Sequence, residues 1–344
     1  MELIALGMDH WFADHAKALC GPGQRLARVT AVDRGQCIVS NEVGGVPAKA
    51  TSAFMGAMQS ASDMPCVGDW VCVEYPESEH AATIHRVLPR KSFLRRKSAG
   101  KSRTFQMIAA NIDVAFIVQS CQYDFNLSRI ERYLLMANEG QVEPVLLLTK
   151  TDLVSADALA QLMGSIRALG ICTKIIALSN VTGSGLDQVK EMMRCGKTYC
   201  LVGSSGVGKS TLINRLTGQE TVKTGTVSHS GEGRHTTVRR HLIVLEQGAL
   251  LIDTPGMREI GIVVASEEMD DNFEDIVRLS PDCRFTNCGH TNEPGCAVLA
   301  AITDGTLQRE RYRNYLKLKT ESALHERSSA DKRRKGKKSD VPQS

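Results

Sequence analysis

Read from the amino terminus, the chain changes its hydrophobic period twice. Residues from about 24 to 90 give short strand-type runs, Arg28–Val32, Cys37–Ser40, Asp69–Tyr75 and Thr83–Leu88, broken by Gly, Pro and Asn. Such runs predict a small all-β barrel. From about 108 to 262, apolar strands alternate with stretches whose apolar residues recur at helical spacing. Strands are expected at Val114–Val118, Val145–Leu148, Lys174–Leu178, Thr198–Val202, His241–Leu245 and Leu250–Ile252, with helices over Ile130–Ala137 and Ala158–Leu169. Repeated strand–helix units build a mostly parallel α/β sheet whose helices cross over between neighbouring strands. A third region, about 268 to 325, reads as helical with a Cys/His insertion, and the Ser-, Lys- and Arg-rich end reads as disordered.

These shifts divide the chain into an N-terminal extension (1–23), an OB-like barrel expected to bind RNA (24–90), a basic linker (91–107), the α/β domain (108–264), a helical metal-binding domain (265–326) and a basic tail (327–344). A length of 344 residues fits two or three domains. Hydrophobic content of 42% with 23% charged residues excludes a disordered protein. No run of eighteen apolar residues and no leader-like start occurs, so a cytoplasmic chain with no membrane partner is expected. Eight of the 11 cysteines, Cys20, Cys37, Cys66, Cys72, Cys121, Cys172, Cys195 and Cys200, fall in apolar stretches and read as buried thiols. The net charge of +4 is modest. Its clustering in Arg90, Lys91, Arg95, Arg96, Lys97, Lys101 and Arg103, and again in Lys332–Lys338, marks two patches able to meet phosphate.

Gly203, Ser204, Ser205, Gly206, Val207, Gly208, Lys209 and Ser210 follow one strand and open a helical stretch at Thr211. Glycines there let backbone N–H groups wrap phosphates at a helix N-terminus, Lys209 reaches the β and γ phosphates, and the Ser210 hydroxyl ligates Mg²⁺. Asp253-Thr254-Pro255-Gly256 ends another strand, which puts Asp253 where it can hold Mg²⁺ through water and the Gly256 amide where it can sense a γ-phosphate. Thr149-Lys150-Thr151-Asp152 resembles the guanine motif NKxD, in which the Asp152 carboxylate would accept from the N1–H and N2–H₂ of guanine and reject adenine. Thr149 replaces the usual Asn and so removes an amide that braces the loop. Ser179-Asn180 stands where an SA-type base loop belongs, with Asn180 in place of Ala. Because the guanine motif precedes the phosphate loop, the pattern is that of a circularly permuted P-loop GTPase domain. Cys283, Cys288, His290 and Cys296 supply three thiolates and an imidazole, a closed tetrahedral set for one structural Zn²⁺.

With these motifs the chain resembles the YjeQ/RsgA family of ribosome small-subunit-dependent GTPases over about residues 1 to 325. Gly68-Asp69-Trp70-Val71, Ala110-Asn111-Ile112-Asp113, Gly233-Arg234-His235-Thr236-Thr237, and Cys283-Arg284-Phe285 through Cys296-Ala297-Val298 carry the likeness. It implies late assembly of the small ribosomal subunit, with contact to its rRNA and GTP hydrolysis stimulated by it. Thr236 or Thr237 is expected to complete the Mg²⁺ shell in the triphosphate state. Met257 stands where many GTPases carry a water-orienting Gln, and the resemblance makes His235 the catalytic candidate instead. Two other readings compete: an RNA-associating zinc protein with negligible turnover, which Met257 suggests, and an ATPase, which Asp152 opposes. The chain is expected to act as a monomer.

Overall fold

The computed structural model describes residues 3–33, 36–41, 44–58, 60–75, 81–97, 105–122, 125–204, 206–218, 240–253 and 273–307, with 309, 312, 313, 315, 316 and 319 beyond them. After a single helical turn at Leu3–Leu6, Asp9 caps α1 (His10–Leu19) by accepting from the Phe12 amide. Five strands follow: β1 (Arg25–Asp33), β2 (Gln36–Ser40), β3 (Gly45–Ala50), β4 (Trp70–Glu74) and β5 (Ala82–Val87). They run β1-β2-β3-β5-β4, and β4 pairs back with β1, closing a barrel. The short α2 (Ser52–Ala57), capped by Thr51, joins β3 to the later strands. Ala27, Val29, Val39, Val71, Val73 and Ile84 alternate inward to fill the interior. Strand β3 escaped the sequence pattern because Pro47 lies within it, and proline usually argues against a strand.

The segment expected as a basic linker is a hairpin instead. β6 (Phe93–Lys97) pairs antiparallel with β7 (Phe105–Ala110), and Leu94 and Ile108 are fully buried in the central core. Four of the cations in and just before it have partners within the chain. Arg90 donates from Nε to Asp69 Oδ1 at 2.8 Å and from Nη2 to Asp69 Oδ2 at 2.8 Å, Lys91 pairs with Asp9, Arg95 donates from Nε to Glu139 Oε1 at 2.6 Å, and Arg96 binds Gln106 at 3.1 Å. Lys101, Arg103 and the tail lysines and arginines lie outside the described residues.

The α/β domain follows as β8 (Val114–Ser120), α3 (Leu127–Glu139), β9 (Glu143–Thr149), α4 (Ala156–Ala168), β10 (Lys174–Ala177), α5 (Leu186–Met192), β11 (Thr198–Val202), α6 (Lys209–Thr217), β12 (Arg240–Val244) and β13 (Leu250–Asp253). Strand order is β10-β9-β8-β11-β13-β12, parallel except that β12 runs against β13. Every residue of β8 and β11 is buried, as expected of strands covered on both faces. Two short helices, α7 (Glu274–Leu279) and α8 (Ala297–Thr303), flank the Cys/His segment. Phe273, Ile276, Val298, Leu307 and Tyr315 belong to the same core as Ile117 and Ile252 of the sheet. Among the described residues no helix is long and apolar enough to cross a membrane.

β1 also pairs antiparallel with β12, Ala31 opposite His241 and Val32 opposite Arg240, so barrel and α/β sheet form one eleven-stranded sheet. At that seam the Arg28 guanidinium is buried. It donates to Leu6 O at 2.5 Å, Gly68 O at 3.1 Å, Asn111 O at 3.1 Å and Thr198 Oγ1 at 3.0 Å. Burial pulls its pKa down to about 10 against the opposing fields of Asp113 and Asp69.

The expectation of eight buried thiols is corrected. Cys37, Cys66, Cys121 and Cys200 are buried, but Cys172 and Cys195 are exposed on loops, and Cys20 is joined to Cys72 in a disulfide. The end of α1 drops Cys20 onto β4 with a Cα–Cα distance of 5.3 Å, inside the range a disulfide spans.

Replacing Arg28 by Met leaves the buried carbonyls of Leu6 and Asn111 without this donor, while Gly68 O keeps its bond from Asn111 Nδ2 at 3.1 Å. The expected cost is about 3 kcal/mol of unfolding free energy, read by urea denaturation. A loss under about 0.5 kcal/mol, the size of an ordinary surface change, counts against the seam depending on this side chain.

Candidate nucleotide and metal sites

The phosphate-loop residues connect β11 to α6 at the C-terminal edge of the parallel strands, where ligands of such sheets bind. Leu212, Ile213 and Leu216 bury one face of α6, so its N-terminus, whose first amides have no acceptor within the helix, is held fixed. Gly203 has φ +154°, and a Cβ there would lie 2.4 Å from Val118 O, so the loop tolerates only glycine. Lys209 Nζ donates to Gly203 O at 2.8 Å and Ser204 O at 2.5 Å. Burial draws its pKa down to about 8, and Asp253 offsets part of that. Ser210 and Thr211 occupy the first turn of α6, Gly206 and Val207 lie in the loop, and Ser205 is outside the described residues.

Asp253 ends β13, and its neighbour across the ladder is His241. Its Oδ2 is buried and receives no hydrogen bond from any described residue. Burial pushes the carboxyl pKa up, opposed by His241 and Lys209. An orphaned, buried carboxylate oxygen near the phosphate loop fits the ligand sphere of a hard cation such as Mg²⁺. Gly256, Met257, Gly233, His235, Thr236 and Thr237 fall outside the described residues, so their assignments stand on sequence alone.

Three loops are stitched together at this edge. Asp152, in the turn after β9, accepts from Ser179 Oγ at 2.5 Å, and the same Ser179 oxygen accepts from the amides of Val181 and Thr182 at 3.2 and 3.1 Å. Lys150 turns the chain there in the left-handed region, φ 60°. Thr149 Oγ1 donates to Val207 O at 2.6 Å, and Asn180 Nδ2 donates to Gly208 O at 3.1 Å. The expected loss of bracing at Thr149 is therefore corrected in part: its hydroxyl does hold the phosphate loop. Arg129, on α3, donates to Ser204 Oγ at 2.7 Å. The sequence pattern passed over this residue because nothing local distinguishes it from other helical arginines.

The Cys/His ligands converge. One potential ligand atom from each of Cys283, Cys288, His290 and Cys296 lies within 4.8 Å of the others. Sγ of Cys283 is 3.8 Å from that of Cys296, and His290 Nδ1 is 3.6 and 3.5 Å from them. A tetrahedron with sulfur about 2.3 Å from its ion has edges of about 3.8 Å, so the set fits a metal such as zinc. His290 adopts φ 60°, which swings its ring inward; its Nε2 lies 3.2 Å from Ser280 Oγ. That second contact orients the ring, as metal-bound imidazoles require. Burial, with Lys319 adding to it, lowers the His290 pKa and keeps the imidazole neutral for coordination. Glu293 shapes the turn between ligands by accepting from the amides of Gly289, Thr291 and Asn292 at 2.8, 2.7 and 3.0 Å.

The metal content of purified protein checks this centre. About one zinc per chain is expected, lost in Cys288→Ser together with protease resistance of the segment around α7 and α8. Retention of the metal by the Ser variant at full occupancy rules out the four-ligand set.

Comparison with known proteins gives these loops a context. The family model described as RsgA GTPase matches residues 87–263. A protein of Opitutus terrae named small ribosomal subunit biogenesis GTPase RsgA is 38% identical over 333 residues, 94% of this chain and 90% of its own length. An RsgA of Methanosarcina acetivorans is 41% identical over 280 residues, covering 81% of this chain and 75% of its own. Among solved structures, YjeQ from Thermotoga maritima superposes with a TM-score of 0.63 at 26% identity, over 87% of this chain and 99% of that one. YloQ, described as a circularly permuted GTPase, superposes at 0.58 and 23% identity over 87% and 95%, a likeness of fold. A phosphate loop that follows the guanine motif in the chain yet is bonded to it at one sheet edge, in a sequence this similar to those relatives, is that of a GTPase, and the chain belongs to the RsgA family of circularly permuted GTPases.

Proposed function

We propose that this protein hydrolyses GTP to GDP and phosphate during maturation of the small ribosomal subunit, that the subunit stimulates the reaction, and that contact is made through rRNA. Support for the guanine nucleotide comes from one observation above all: Asp152 is fixed by Ser179 in the same bonded set of loops that holds Val207 and Gly208. The names of the relatives supply the ribosomal context.

In this reading the amides of Gly203–Gly208 and Lys209 cradle the phosphates. Ser210 and Asp253 hold Mg²⁺, which neutralises phosphate charge when bound. Asp152 reads the base, and Lys150, Ser179 and Thr211 complete the pocket. Thr236 or Thr237 and Gly256 report the γ-phosphate, and His235 orients the attacking water. The Cys/His centre holds a structural zinc. Barrel and basic tail meet rRNA in a monomeric, cytoplasmic protein; Arg90 and Arg95, tied up by Asp69 and Glu139, contribute less than their charge suggests.

Phosphate release measured with and without purified small subunits tests the proposal. Turnover is expected to be slow alone and to rise by at least about tenfold with subunits, since a positioning group on a switch segment is ordered by its partner. His235→Ala should keep nucleotide binding and lose that stimulation. Unstimulated, negligible turnover in the parent would favour the competing reading, a nucleotide-sensing RNA-binding protein, to which Met257 lends weight.

Lys209 supplies a separate check. Its pKa of about 8 in the free protein must rise once phosphate contacts the ammonium group. The bound form then keeps a proton that the free form is losing, so affinity falls as pH rises past 8. Calorimetry of GDP binding at pH 8, in buffers of different ionisation enthalpy, should show uptake of about half a proton. Zero uptake would contradict a Lys209 ammonium that loses its proton near pH 8 in the free protein and regains it beside phosphate.

A further inference from the structure

We propose that Asn180 is a positioning residue of the nucleotide site, supplying from the second base loop the bracing amide that Thr149 lacks. The inference rests on reading these loops as the guanine-nucleotide site.

Thr149 has one hydroxyl proton, and its short bond to Val207 O, 2.6 Å, takes most of that donor capacity, with Gln119 O farther off at 3.3 Å. The next carbonyl of the phosphate loop, Gly208 O, is reached instead by Asn180 Nδ2 at 3.1 Å. Two consecutive carbonyls are thus gripped from outside by side chains at the ends of two different strands. In a planar trans peptide the C=O of one residue and the N–H of the next point in opposite directions. Gly208 O also accepts the Leu212 amide at 2.9 Å, the first bond of α6, so Asn180 adds a second grip to a carbonyl the helix already holds; together these bonds aim the amides of Gly208 and Lys209 at the opposite, phosphate-facing side of the loop.

The amide of Asn180 is built into place. The residue is 8% exposed, Arg215 Nε donates to its carbonyl at 3.0 Å, and Ser179 Oγ pins the next two amides. A Cβ on Gly208, φ +101°, would lie 3.0 Å from Asn180 Nδ2, so the loop approaches this closely only with glycine. Asn180 Oδ1 is buried and receives no hydrogen bond from any described residue, which leaves the bond to Gly208 as the contact that orients the amide. The alanine usual at this point of the base loop has no donor to offer.

Dissociation constants for a fluorescent GDP analogue, measured on the full chain, test the assignment. Asn180→Ala should weaken binding about tenfold, the scale of one buried hydrogen bond. Asn180→Asp, the same shape with an acceptor facing Gly208 O, should lose at least as much. Thr149→Asn added to Asn180→Ala should recover most of the loss, because an amide then returns on the other side of the loop. Melting temperature without nucleotide, together with that rescue, separates positioning from a general loss of fold. Binding by Asn180→Ala within twofold of the parent overturns the proposal, as does a double variant no tighter than Asn180→Ala. A parent chain that holds no GDP overturns the guanine-site reading beneath it as well.

Discussion

The pairing of β1 with β12 fixes the relation of the barrel to the nucleotide edge. β12 is the outermost strand of the α/β sheet, and an open edge there would present unpaired amides and carbonyls. The barrel covers that edge with its own first strand. His241 consequently sits between Ala31 of the barrel on one side and Asp253 of the nucleotide edge on the other. A shift of β12 along its axis must carry β1 with it or break the ladder. Arg28 hardens the seam: its cost of burial, visible in the depressed pKa, is offset by acceptors from the N-terminal turn, the barrel, the segment before β8 and the first residue of β11.

How much of this was legible in the sequence depended on whether a residue's partner was local. Parallel strands such as Val114–Ser120 announce themselves because both faces are covered and nearly every residue is apolar. The phosphate loop, Asp152 and the Cys/His set are compact in sequence, and their chemistry follows from residue type and spacing. Arg90 and Arg95 looked like a phosphate-binding patch because charge can be read from sequence and distant partners cannot; Asp69 and Glu139 lie 21 and 44 residues away. The Cys20–Cys72 link spans 52 residues and was equally out of sight. Thr149 shows the same limit: the missing amide was evident, while its replacement came from Asn180, on another strand's loop.

The Cys/His centre is also less separate than its compact spacing suggests. α7 and α8 are six and seven residues long, too short to be stable alone. Their apolar residues complete the core that the sheet and α3 begin, and Tyr312 OH donates to His290 O at 2.5 Å, tying the helical segment after α8 to a ligand. A metal bound at this centre would therefore organise a turn that also packs against the α/β domain. Its coordination would then be joined to the packing of Phe273, Ile276 and Tyr315 in the same core.

Lys209 and Asp253 extend the argument to energetics. Asp253 is buried and Lys209 partly so, and desolvation moves each toward its neutral form, the lysine downward and the carboxyl upward, while each partly restores the other's charge. Removing charged groups from water without full compensation is costly. The protein accepts that cost at the one edge where α6, the phosphate loop and the base loops meet. Ligand anions beside Lys209 and a cation beside Asp253 would each favour the charged form of its neighbour, so binding would offset part of that cost of desolvation.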